Sequence, residues 1–62
     1  MKTVYERLKA RLEDAIAKDH QDRALDAVND AFTYWYYERR ITKAQYEELS
    51  AMYQTWENSW AE

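Results

Sequence analysis

Apolar positions recur at helical spacing in three separate stretches of this chain. In the first, Val4, Tyr5, Leu8, Leu12, Ala15 and Ile16 step by three and four residues, which gathers them on one face of a helix predicted over about residues 3–18. In the second, predicted over about 20–39, Leu25, Val28, Phe32 and Trp35 form the stripe expected to face the core. Ala24, Ala27 and Ala31 flank that stripe and would let a neighbouring helix come close. The third, over about 43–60, carries Tyr46, Leu49, Tyr53, Trp56 and Trp60 in a heptad-like seam with Met52 at its edge. Three such stripes can share one core. The pattern therefore predicts an all-α fold, a compact three-helix bundle formed as a single helical domain over residues 1–62.

Local signals place the helix starts. Thr3 and Glu6 match a capping box, in which each side chain satisfies a free backbone N–H of the other. Thr42 and Gln45 repeat that arrangement, and Ile41 and Tyr46 fall at the two positions of a hydrophobic staple. Asp19 is the expected N-cap of the second helix, with Asp22 favourable in its positive first turn. Arg39 and Arg40 are expected near its negative end. The break at Lys18–Asp19 is the least marked boundary. The sequence leaves open one long helix there, which would expose more apolar surface and force a dimer.

Composition sharpens this picture. A chain of 62 residues buries only about 60% of its unfolded surface, so such domains lean on disulfides, metals, oligomerisation or a dense core. There is no cysteine, and His20 is the single histidine, so thiolate and multi-histidine metal sites are excluded. Six tyrosines and three tryptophans offer large rings instead, each burying roughly 150–250 Å². Such rings can densify a small core or cover an interface with a second copy. Glycine and proline are absent altogether, which removes the residues that tight hairpins favour and leaves helices joined by capped turns.

The same inventory narrows function. No apolar run approaches the roughly 20 residues of a membrane span, and the first residues lack the apolar core of a secretory signal, so a cytoplasmic location is expected. Nucleophilic catalysis needs an activated side chain and oxyanion donors, whereas Ser50 and Ser59 lie in a helical pattern and no glycine elbow or phosphate loop can form. His20 has no evident orienting partner. The chain is expected to be non-enzymatic and to need no cofactor or metal. A net charge of −3 argues against direct nucleic-acid binding. Read as a recognition helix, the third helix offers Lys43 and Gln45, but Glu47 and Glu48 follow at once and would face phosphates.

Two features point to a protein partner. Tyr34, Trp35, Tyr36 and Tyr37 are consecutive and point about 100° apart on a helix, so all four cannot be buried together. With Trp35 inward, Tyr34 and Tyr36 flank it and Tyr37 is expected to be exposed. Tyrosine and tryptophan are enriched in interface hot spots. Asp19, Asp22, Asp26 and Asp30 step by 3-4-4 along the second helix, away from its predicted stripe, and Tyr37 continues that face. Like charges so spaced repel by a few tenths of a kcal/mol per pair, approximately. Arg7, Arg11 and Lys18 of the first helix are placed to balance part of the row. A calcium site is disfavoured, because its ligands normally come from a flexible loop. The candidate binding residues are thus Asp19, Asp22, Asp26, Asp30, Tyr34, Tyr36 and Tyr37.

The stretch Glu38-Arg39-Arg40-Ile41-Thr42-Lys43-Ala44-Gln45-Tyr46-Glu47-Glu48-Leu49 resembles the I-T-x-x-x-aromatic-x-x-L turn and helix of SHOCT-like helical hairpins. A tiny, acidic, tyrosine-rich chain without glycine or cysteine also resembles, in composition, the small proteins of phages and mobile elements. That resemblance implies an inhibitor of the anti-CRISPR kind, whose acidic row would imitate nucleic acid in a host enzyme. The leading expectation is a helical protein-binding module acting through the aromatic and acidic face of the second helix. The rivals are the acidic mimic, a self-associating bundle and a small DNA-binding protein.

Overall fold

The computed structural model describes residues 2–59 and contains three α-helices with no strand among those residues. They are α1 (Val4–Ala17), α2 (Gln21–Tyr36) and α3 (Lys43–Asn58), and each helix packs against the other two. This is the expected three-helix bundle. Trp60, assigned to the seam of the third helix, lies outside the described residues.

Both capping boxes form. Thr3 accepts from the Glu6 N–H at 3.1 Å while the Glu6 carboxylate accepts from the Thr3 N–H. The Thr42 hydroxyl accepts from the Gln45 N–H at 3.1 Å, and the Gln45 side chain accepts from the Thr42 N–H at 3.0 Å. Ile41, just before that cap, is buried at 6% exposure and Tyr46 is half-buried, in keeping with staple positions.

The turn between α1 and α2 settles the open boundary in favour of two helices and corrects one cap. Asp19 is not the N-cap of α2. It sits at φ 56°, in the left-handed region. Its N–H bonds the Ile16 carbonyl at 3.1 Å and the next N–H, of His20, bonds the Ala15 carbonyl at 2.8 Å. That pair of bonds is a Schellman motif, usually built on glycine. In a chain without glycine, aspartate is among the side chains that tolerate the conformation best. His20 becomes the N-cap, with no side-chain hydrogen bond.

The second helix also ends earlier than expected, at Tyr36 rather than about residue 39. The Thr33 carbonyl accepts from both Tyr37 and Glu38, and the Arg40 N–H reaches back to the Tyr34 carbonyl at 2.7 Å. Between them Arg39 stands at φ 55°. Arg39 and Arg40 therefore lie in the turn, and no basic residue occupies the last turn of α2. Arginine has no side-chain bond that compensates the left-handed crowding of its Cβ. Arg39→Gly is expected to raise stability by about 1 kcal/mol, seen as a thermal midpoint roughly 4–8 °C higher.

The core holds Leu8, Leu12 and Ala15 of α1, Ala24, Ala27 and Ala31 of α2, Ile41, and Leu49 and Tyr53 of α3. The stripes of the first and third helices are as expected. That of the second is not. Its innermost row is Ala24, Ala27 and Ala31, each at most 1% exposed, whereas Leu25 is 43% and Phe32 37% exposed. Val28 and Trp35 are only partly buried. The middle helix must lie close to both neighbours, and only methyl-sized side chains allow that approach. The larger stripe is rotated to the flank.

Candidate functional site

The rotation of α2 decides what its surface offers. On the flank turned towards α1, charges pair across the helices. The Arg11 guanidinium meets the Asp30 carboxylate at 2.8 Å, both side chains being half exposed, a geometry that contributes about 0–1 kcal/mol. Arg11, Asp14, Arg23 and Asp26 line one shallow cleft between α1 and α2. Tyr34 is half-buried and lines a second groove with Val4, Arg7, Leu8, Arg11 and Arg40. All four charged side chains of α2, Asp22, Arg23, Asp26 and Asp30, fall outside the opposite flank.

That opposite flank, beside α3, is aromatic. Trp35 stacks on Tyr46 of α3 with centroids 4.9 Å apart and planes 11° from parallel. Phe32 stacks on Tyr36 at 5.4 Å and meets Trp35, Tyr37 and Tyr46 edge-on at 5.8–6.1 Å. Tyr36 meets Tyr37 edge-on at 5.0 Å. The five rings form one connected network. Pairs in such geometry contribute about 0.5–1.5 kcal/mol beyond their area burial, which favours this arrangement of the rings. The outer members stay open: Tyr36 is 57% exposed and Tyr37 71%.

The seven sequence-predicted site residues are thus divided. Tyr36 and Tyr37 lie together on the open aromatic flank. Tyr34 does not join them, being turned towards α1, and Asp30 is engaged by Arg11. Asp22 and Asp26 are exposed, and Asp19 is exposed in the turn before the helix. Sequence reasoning overlooked Leu25 and Phe32 as surface residues because it assigned them to the core. The signal was available in the alanines, which repeat at 24, 27 and 31 with the same helical phase as a core row.

Elsewhere, Tyr5 of α1 donates a hydrogen bond to the Glu48 carboxylate of α3, and the Lys9 ammonium lies 5.9 Å from the Tyr5 ring centre. The bond to Glu48 pushes the Tyr5 phenol above its ordinary value, with desolvation and the Glu48 charge acting the same way. The contact ties the start of α1 to α3. No group of His, Asp or Glu among the described residues is arranged to hold a metal ion, and no described helix is long and apolar enough to cross a membrane. Comparison with protein families, with curated proteins and with solved structures gives no match for this chain.

Proposed function

We propose that this chain is a non-enzymatic helical protein-binding module that works through the open aromatic flank of α2. One observation carries the reading: Leu25, Phe32, Tyr36 and Tyr37 are 37–71% exposed, and the three rings among them belong to a network anchored on Trp35 and Tyr46. Rigid rings with polar tips lose little entropy on binding and present large area, which is why they dominate interface energetics. An inhibitory role and an origin in a phage or mobile element belong to the same proposal through compositional resemblance. A cytoplasmic setting is proposed with them, no described helix being long and apolar enough to cross a membrane. The acidic-mimic alternative has less support, since Asp30 is already paired with Arg11 and would have to exchange partners.

Chemical cross-linking in the source cells, followed by identification of the linked peptides, tests the reading. Contacts are expected around residues 25–37, in a complex that tolerates salt because ring burial is not screened as exposed charge is. Tyr36→Ser together with Tyr37→Ser is expected to weaken the complex by about 30-fold or more while helical content is retained. A complex that ignores these changes but is lost with Asp22→Lys and Asp26→Lys would transfer the site to the acidic row.

A further inference from the structure

We infer that the occupant of this flank is a second copy of the same chain, paired antiparallel along α2. The inference rests on the binding reading above and adds the partner. Three observations lead to it.

The first is charge. About a third of the chain is charged, yet one line along α2, through Gln21, Leu25, Val28, Asn29, Phe32 and Tyr36, carries no charge over roughly 24 Å of helix. Each chain carries a net −3, so two copies approaching each other repel. A two-fold interface sets a surface against itself, and an uncharged line is the surface on which that repulsion is least. A foreign partner would impose no such requirement and commonly selects rim charges for specificity.

The second is register. A two-fold axis beside Val28 and Asn29 sets Leu25 of each copy against Phe32 of the other. It also sets Gln21 against Tyr36, an amide opposite a hydroxyl. Leu25 and Phe32 then meet across the axis, and no side chain of the line meets its own twin.

The third is area. At roughly 150–250 Å² per large side chain, the exposed fractions of Leu25, Phe32, Tyr36 and Tyr37 leave about 300–500 Å² open on each copy. Two copies cover about 600–1,000 Å² from these residues alone. Val28 and Tyr46, partly buried on the same flank, bring the total to the ~1,000 Å² at which specific interfaces begin. The buried core needs this supplement. Among the described residues, four of its nine members are alanines, and the large side chains that are fully enclosed are Leu8, Leu12 and Leu49.

Sedimentation equilibrium is expected to show a monomer–dimer equilibrium with a dissociation constant on the order of 10 µM, as befits an interface at the small end of the range. Leu25→Lys and Phe32→Glu are each expected to weaken it about 30-fold or more with far-UV circular dichroism unchanged. Mixing the two variants restores association, because the antiparallel register sets the introduced lysine against the introduced glutamate in one pairing and leaves Phe32 on Leu25 in the other. A second single variant, Leu25→Glu, covers the case in which Phe32→Glu fails to fold, since Leu25 is outside the ring network. A chain that stays monomeric well above that concentration overturns the second copy. The foreign-partner form of the binding reading then stands or falls on the cross-links. A dimer that persists in Leu25→Lys and Leu25→Glu, or a mixture no tighter than its components, overturns the α2 pairing itself.

Discussion

Leu12→Ala is expected to remove about half of this protein's stability, roughly 2–5 kcal/mol. Leu12 is 1% exposed and belongs to the small set of large side chains that the fold encloses fully. Removing such a side chain costs about 2–5 kcal/mol, through lost transfer free energy and the cavity left behind. At roughly 0.05–0.15 kcal/mol per residue, a chain this short has about 3–9 kcal/mol in total. One substitution therefore takes a large share of the stability. Few other buried side chains can relax into the space, because the facing row on α2 is alanine. Urea denaturation followed by circular dichroism checks it. A midpoint within experimental error of the parent would mean that Leu12 is not at the centre of the core.

Ala27→Leu is the second large effect, and its direction is opposite to what the sequence pattern suggests. Adding apolar bulk to a helix beside Val28 would ordinarily be neutral or stabilising. Here Ala27 is 1% exposed, and Ala24 and Ala31 beside it are fully enclosed. Three extra carbons at that point push α2 away from its neighbours and unseat the facing leucines. Overpacking of this kind costs about 1–3 kcal/mol, and more where the backbone must move. The control is Leu25→Ala, at a position 43% exposed, measured in dilute solution so that association does not contribute. It is expected to cost well under about 1.5 kcal/mol, a fraction of full leucine burial. If Leu25→Ala proves the costlier of the two, the rotation of α2 described above is wrong.

These two substitutions also separate what was legible in the residues from what was not. Helix number, helix type and two of the three starts were written locally. The Thr3–Glu6 and Thr42–Gln45 boxes form as expected because a cap involves groups three residues apart, with no contribution from the rest of the chain. The faces of α1 and α3 were legible too, since each has one arc of large apolar side chains and no competing arc.

The second helix has two arcs, one of alanines and one of Leu25, Val28, Phe32 and Trp35. Hydrophobicity alone ranks the larger side chains as core. The closeness of α1 and α3 on either side reverses that ranking, because the available space admits only methyl groups. The turns were misread for a related reason. Asp19 has the chemistry of an N-cap, but the chain had to reverse direction without glycine, and the Schellman bonds at Ala15 and Ile16 claimed Asp19 for the left-handed position.

The candidate site followed the helix. Sequence pattern by itself determined that this protein has aromatic residues in excess of what a small core can hold, with Tyr37 exposed among them. Only the tertiary structure decided which flank they occupy. Once Ala24, Ala27 and Ala31 face inward, Asp30 meets Arg11 of α1, and Leu25, Phe32 and Tyr36 open on the other flank. Periodicity fixes the angles between side chains on one helix. Their direction in space depends on how closely three helices can pack, and no single helix carries that information.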